Sequence, residues 1–294
     1  MRARAHLTVE CDPNGRTVVR EMRSMAPLRL VPHRGRSRQS AGGPDEAALV
    51  HLVSSITAPL GGDDLELHIR VGPGAALELR GVAATLALPG QHPGGSRALV
   101  EVELAEGASL EYLPEPTVIT SRACHEAVFR ARIAEDARLR TREILVLGRL
   151  NERAGLLSTT LDVRRNGPVI KQTSHLGTPE VDRSPAGLVG RRVLGTELLC
   201  WGEDLPGAVS EDWWSLVPLA RGGSLTTAVA DDAVTVERAL NVARSKHPGS
   251  AALLTRSRTR FRAPDHTESH GSGGGHHRAG GFASGGKPVP SLDR

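Results

Sequence analysis

Two carboxylates, Asp63 and Asp64, follow a glycine turn in the stretch "PLGGDD". Such a pair can act as a catalytic acid and base, can bind a metal ion, or can close a turn through a side-chain hydrogen bond to the backbone. The spacing favours the turn and leaves the other two roles open.

The stretch "CHEAVF" at 124–129 contains a histidine followed by a glutamate. A zinc protease helix needs a second histidine four positions after the first, and none is present. The alternation around this stretch predicts an ordinary strand, with Cys124 and Glu126 on one face and His125 on the other.

A near match to a phosphate-binding loop runs from Gly281 to Gly286, Lys287 and Pro288. Proline stands where a serine or threonine hydroxyl would hold magnesium, and no strand or helix pattern flanks the segment. No nucleophile-elbow pattern occurs either. We therefore predict no catalytic centre and expect the chain not to be an enzyme.

Histidines are concentrated in the glycine-rich C-terminal tail, at His266, His270, His276 and His277. Imidazole is a suitable ligand for nickel or zinc, so this tail could capture such an ion weakly. A solvated tail of low complexity is the alternative interpretation.

The formal net charge of +4 is concentrated at one end of the chain. Residues 244–294 hold nine basic and three acidic residues, which leaves 28 basic and 30 acidic residues for 1–243. A folded nucleic-acid-binding domain would carry its basic patch on the body, so we expect no nucleic-acid partner. Aromatic residues make up only 2% of the chain, which argues against stacking platforms for bases or sugars.

The three cysteines, Cys11, Cys124 and Cys200, are widely spaced and include no C-x-x-C pair. This spacing argues against a disulfide framework or a structural zinc site, and it favours reduced thiols in a cytoplasm. The N-terminal stretch alternates and lacks the apolar core of a signal peptide, and no apolar run is long enough to span a bilayer. We therefore expect a cytoplasmic protein with no membrane partner.

Alternation with a period of two dominates the chain and predicts a mainly β fold. Three stretches share one pattern of strand, short turn, alanine, one residue, leucine and second strand. The shared alanines and leucines are Ala75 with Leu77, Ala108 with Leu110, and Ala137 with Leu139. The repeat predicts stacked β-units that bury continuous apolar layers, in a β-helix-like arrangement, while a sandwich of ordinary hairpins remains the alternative.

One short amphipathic helix is predicted in "DDAVTVERALNVARS", with Asp232 as its N-cap. One or two short helices are expected in all. Three segments follow from composition: a mainly β domain at 1–245, a basic segment at 246–262, and a His- and Gly-rich tail at 263–294 that we expect to be disordered.

Read together, three motifs resemble the urease accessory protein UreD family, also called UreH. They are a "GGD" turn before the first repeat, an "LxxxPxPxI"-like segment after the second, and an "LGR" that follows an acidic residue after the third. Here these motifs are carried by Gly61, Gly62 and Asp63; by Leu110, Pro114, Pro116, Val118 and Ile119; and by Glu143, Leu147, Gly148 and Arg149. The similarity covers roughly residues 5–245.

The resemblance implies a non-enzymatic scaffold that helps insert nickel into apo-urease together with UreF-like and UreG-like proteins. It also implies a polar passage for the ion, with no tightly bound cofactor and only transient Ni²⁺. We assign the lining of this passage to Asp63, Thr85, Glu115 and Glu143. Carboxylates and hydroxyls suit such a route because they can coordinate Ni²⁺ without trapping it, as thiolates would.

Two other functions remain as alternatives at this point. One is a β-solenoid or sandwich hydrolase that uses a carboxylate pair such as Asp63 and Glu115. The other is a metal-storage protein that depends on the histidines of the tail.

Overall fold

The computed structural model describes residues 1–33, 47–91, 94–185, 187–201 and 204–248. Strands dominate this part of the chain, as the alternation predicts. The strands are β1 (Arg2–Cys11), β2 (Thr17–Arg23), β3 (Leu28–Pro32), β4 (Ala48–Ser54), β5 (Asp64–Val71), β6 (Ala76–Gly81), β7 (Thr85–Ala87), β8 (Ser96–Leu104), β9 (Ser109–Leu113), β10 (Thr117–Ile119), β11 (Cys124–Ile133), β12 (Arg138–Leu147), β13 (Leu156–Arg164), β14 (Pro168–Leu176), β15 (Val193–Cys200), β16 (Val209–Glu211), β17 (Trp214–Pro218) and β18 (Ser224–Ala230). The helices are α1 (Pro179–Asp182) and α2 (Ala233–Ser245).

Within the described residues, the strands form a seven-stranded and an eleven-stranded sheet. The seven-stranded sheet has the order β14-β13-β11-β8-β5-β1-β2, and its five inner strands run parallel. The eleven-stranded sheet has the order β16-β17-β18-β15-β12-β9-β6-β4-β3, with β10 and β7 attached beside β12. Its central strands β4, β6, β9 and β12 are also parallel.

The repeated motif forms the stacked units that the sequence predicts. In each unit, a strand of the seven-stranded sheet passes through a short turn into a strand of the other sheet, as in β5 to β6, β8 to β9 and β11 to β12. Leu77, Leu110 and Leu139 lie side by side in register and are fully buried. The turns stack as well, because the Ser109 amide donates to the Ala75 carbonyl at 2.9 Å. Parallel stacking of this kind excludes the hairpin alternative for these three units.

The main hydrophobic core lies between the sheets and continues from unit to unit. One inward row of the seven-stranded sheet consists of Leu7, Ile69, Val102, Ala131 and Val163, and all five side chains are buried. Because each row holds equivalent positions of successive strands, the size of its side chains sets how closely the two sheets can pack at that level.

Helix α2 covers part of the outer face of the eleven-stranded sheet. The Asp232 side chain accepts a hydrogen bond from the Thr235 amide at 2.8 Å, which confirms the predicted N-cap. Val236, Leu240 and Ala243 are buried against β15 and β18, as the helical spacing predicts. Neither described helix is long and apolar enough to cross a membrane. The predicted loop at 35–46 and tail at 263–294 lie outside the described residues, as does most of the segment 246–262.

Gly195 lets α2 approach the sheet, and this contact gives a testable prediction. A Cβ atom at this position would lie 2.3 Å from Cγ1 of Val236. We expect Gly195→Ala to lower the free energy of unfolding by about 1–3 kcal/mol, because the helix would have to shift outward. Chemical denaturation would measure the change. Gly207→Ala is the matched control, since nothing lies within 4 Å of the added Cβ there; equal stability of the two variants would contradict the prediction.

Candidate functional site

A cavity of about 280 Å³ lies between the two sheets. Strands β5, β8, β11 and β13 contribute to one wall, and β12 and β15 contribute to the other. Exposed lining residues at Ser54 and Val82–Ala84 show that the cavity reaches the protein surface beside the ends of β4 and β6.

Small side chains in one inward row explain why this space is not filled. The row consists of Ala3, Leu65, Ala98, Ala127 and Thr159, and all but Ala3 line the cavity. Two successive alanines in the middle of this row leave a gap. The next inward row also lines the cavity, with the larger side chains Leu67, Val100, Phe129 and Leu161.

Glu143 stands in the opposite wall, on the inward face of β12. The flanking inward residues Leu139 and Leu145 belong to two separate hydrophobic clusters, so the polar part of the strand lies between them. The Thr159 hydroxyl donates a 2.8 Å hydrogen bond to the Glu143 carboxylate across the cavity. Thr196 lies opposite Glu143 on β15 and also lines the space.

The surroundings of Glu143 favour its protonated form. Desolvation by the surrounding protein raises the pKa of this carboxyl from 4.5 to about 7, although the hydrogen bond from Thr159 opposes the rise. The pKa of the Tyr112 hydroxyl, which also lines the cavity, is raised by burial and then by the charge of Glu143. Near neutral pH, Glu143 can therefore exist with or without a proton.

His125 is a cavity residue, although the sequence predicts only an ordinary strand around it. Its face was predicted correctly, because His125 is buried while Cys124 and Glu126 are exposed. The imidazole Nδ1 lies 2.8 Å from the Ser96 hydroxyl. Burial lowers the pKa of His125 to about 4, so the ring is neutral at neutral pH. An inward histidine in a strand of alternating residues is the signal that could have marked it.

Three of the four predicted passage residues, Thr85, Glu115 and Glu143, line this one cavity. Asp63 does not: its carboxylate accepts hydrogen bonds from the Met1 amino group at 2.9 Å and from the Leu60 amide at 2.8 Å. The structure therefore supports the turn interpretation of Asp63, and it does not bring the Asp63 and Glu115 pair of the hydrolase alternative into the cavity wall.

The "LGR" motif also has a structural role in its described contacts. Gly148 adopts a positive φ of 75°, and the Arg149 guanidinium pairs with Glu152 at 2.8 Å. Glu152 in turn accepts a 2.7 Å hydrogen bond from the Ser121 hydroxyl. This motif therefore fixes the turn that follows β12 and does not contribute to the cavity wall.

The tail histidines His266, His270, His276 and His277 lie outside the described residues, so their role remains a prediction. Among the residues that are described, no group of three or more histidine, cysteine, aspartate or glutamate side chains could hold a metal ion.

The raised pKa of Glu143 predicts a pH dependence of stability. The folded state favours the protonated carboxyl of Glu143. The contribution of this carboxyl to stability is therefore fully present below its unfolded-state pKa of 4.5, and it is lost as the pH rises through the folded-state pKa of about 7. Glu143→Gln keeps a neutral side chain at every pH. We expect the free energy of unfolding of the unmodified protein to fall relative to this variant between about pH 5 and about pH 8.

Denaturation curves across this pH range would measure the difference, with Glu126→Gln on the exposed face as the control. Parallel curves for the unmodified protein and Glu143→Gln would show that Glu143 is not held in a desolvating site.

Comparison with known protein families agrees with the resemblance in the sequence. Residues 1–261 match the family model described as "UreD urease accessory protein". The chain is 50% identical over 254 residues to urease accessory protein UreD 1 of Saccharopolyspora erythraea. The aligned segment covers 86% of this chain and 98% of that protein. It is 40% identical over 272 residues to urease accessory protein UreD of Frankia alni, covering 82% and 91% of the two chains. The UreD of Streptomyces coelicolor is 34% identical over 248 residues, with 82% and 94% covered.

These matches extend over nearly the whole length of the relatives, and they confirm the expectation of an accessory protein and not a catalytic enzyme. The chain belongs to the UreD family of urease accessory proteins.

Proposed function

We propose that this chain is a scaffold in urease maturation and that its internal cavity forms part of the route by which Ni²⁺ reaches apo-urease. The observation that carries the proposal is the meeting of Thr85, Glu115 and Glu143 in the wall of one cavity that reaches the surface. The relatives are named as urease accessory proteins, which is the class of protein in which such a route is needed.

The chemistry of the wall suits a cation that must pass through and leave again. Glu143 can supply a carboxylate oxygen, and Thr159 and Thr196 can supply hydroxyl oxygens. The described cysteines do not line the cavity, so no thiolate among them would hold the ion. With few protein ligands available, Ni²⁺ would keep part of its water shell and would not be stored.

The stacked units suit a scaffold because they form a continuous core without requiring a mobile part. We propose that this rigid body assembles with UreF-like and UreG-like proteins and with apo-urease, in the cytoplasm. Nickel is the cargo of this assembly, and no tightly bound cofactor is required.

Replacement of Glu143 tests the proposed route. Glu143→Gln and Glu143→Ala should leave folding and complex assembly intact but slow nickel loading of urease by about tenfold, the effect of losing about 1.4 kcal/mol of interaction with the ion. Metal analysis of the purified urease would measure nickel per active site, and co-purification would report assembly.

Glu126→Gln is the matched control, because Glu126 is exposed on the outer face of β11. Normal nickel content in urease matured with both Glu143 variants would remove this residue from the route. A second arm replaces the four tail histidines with alanine in the full chain. Loss of loading in this arm, with normal loading in the Glu143 variants, would favour the metal-storage alternative.

A further inference from the structure

We propose that His125 is a metal-contact residue of the cavity that favours nickel, and other cations that accept nitrogen ligands, over hard cations such as Ca²⁺ and Mg²⁺. This inference rests on the proposed nickel route and adds to it a residue that selects the cargo.

The first step is the position of the imidazole. His125 lines the cavity, and its inward neighbour on the same strand is Ala127. Ala127 lies in register with Thr159, whose hydroxyl is bonded to Glu143. Because alternate residues of a strand are about 7 Å apart, His125 stands one level away from the oxygen ligands around Glu143.

The second step is the state of the two ring nitrogens. Nδ1 is held 2.8 Å from the Ser96 hydroxyl, and Ser96 is itself buried. Apart from Ser96, whose backbone also bonds the ring, the ring nitrogens have no hydrogen-bond partner among the described residues. Nε2 is not among the enclosed polar atoms that lack a partner. In the tautomer that carries its hydrogen on Nδ1, the ring donates to Ser96 and Nε2 keeps its lone pair. A polar partner on one ring nitrogen commonly orients the other nitrogen toward a metal.

The third step is the difference between the ligands. The carboxylates and hydroxyls of the wall are oxygen ligands, which Ca²⁺ and Mg²⁺ also accept. An imidazole nitrogen is a good ligand for nickel and a poor one for those hard cations. Oxygen groups alone would therefore admit the abundant cations of a cell, such as Ca²⁺ and Mg²⁺. A nitrogen ligand one level further along would bind nickel more strongly than it binds those hard cations.

The neutral ring is also compatible with the location. A charged imidazolium would repel an entering cation, and burial keeps His125 unprotonated at neutral pH. Among the described residues, no three histidine, cysteine, aspartate or glutamate side chains come together in a group that could hold a metal ion. The contact at His125 is therefore transient and is not a storage site.

Site-resolved binding is the direct test. The full chain, with its four tail histidines replaced by alanine and the remaining histidine rings labelled with ¹⁵N, would be titrated with NiSO₄ and separately with CaCl₂. We expect paramagnetic loss of the His125 ring signal with Ni²⁺ and no change with Ca²⁺. A His125 signal that survives nickel amounts sufficient to broaden the exposed His175 ring would overturn the proposal.

Nickel loading of urease in the presence of added Ca²⁺, at constant Mg²⁺, tests selectivity in the complete maturation assembly. His125→Asn should be inhibited by Ca²⁺ at a concentration about tenfold lower than the unmodified chain, since loss of even the hydrogen-bond partner of a metal ligand typically costs about 10–100-fold in metal affinity or activity. Ser96→Ala should show a smaller change in the same direction, because it keeps the imidazole but removes its Nδ1 partner. His175→Asn, on the exposed edge strand β14, is the control and should match the unmodified chain.

The outcomes separate this inference from the proposed function. Slow loading in Glu143→Gln, together with unchanged Ca²⁺ sensitivity in a folded His125→Asn, would leave the route intact and overturn the role of His125. Normal loading in the Glu143 variants would overturn the route itself.

Discussion

The register of the parallel strands is the constraint on which the rest of this structure depends. Stacking places equivalent residues of successive units side by side, as with Leu77, Leu110 and Leu139. The distance between the sheets is thus set row by row. The row with Leu7, Ile69 and Val102 is packed into the main core, and the row with Ala98 and Ala127, two levels away, lines the cavity. A stack of this kind can therefore leave an internal cavity where small side chains share an inward row.

Strand β12 joins the cavity to an ionic network on its other face. Outside, Arg140 donates to the fully buried Glu197 at 2.9 Å and to Glu111 at 2.8 Å, while Arg142 donates to Glu237 of α2 at 2.8 Å. Burial raises the pKa of Glu197, and the nearby arginines oppose the rise. Removing one member of such a buried set leaves a charge without compensation, which is strongly unfavourable. The network therefore stabilises β12, the strand that places Glu143 in the cavity wall.

The sequence was sufficient to predict the mainly β fold, the stacked units, the N-cap of α2 and the inward face of His125. All of these depend on local periodicity or on a repeat. It could not predict the cavity, because the row that opens it takes one residue from each of several strands that are distant in sequence. The partner of Asp63 could not be predicted for a similar reason, since it is the amino group 62 residues earlier. Glu197 lies in a strand that reads as ordinary, and only the tertiary contacts with Arg140 explain its burial. The resemblance to the family, and no pattern in the residues alone, pointed to Glu143.

The two faces of β12 have a consequence for genetics. Arg140 and Arg142 point to the ionic network, whereas Thr141 and Glu143 point inward. Neighbouring residues of this strand therefore have different structural roles. Damage to the outward pair would reduce how much folded protein accumulates in the cell. Damage to the inward pair would change the cavity wall and leave the ionic network intact. A saturation scan of this strand should therefore show phenotypes that alternate from one position to the next.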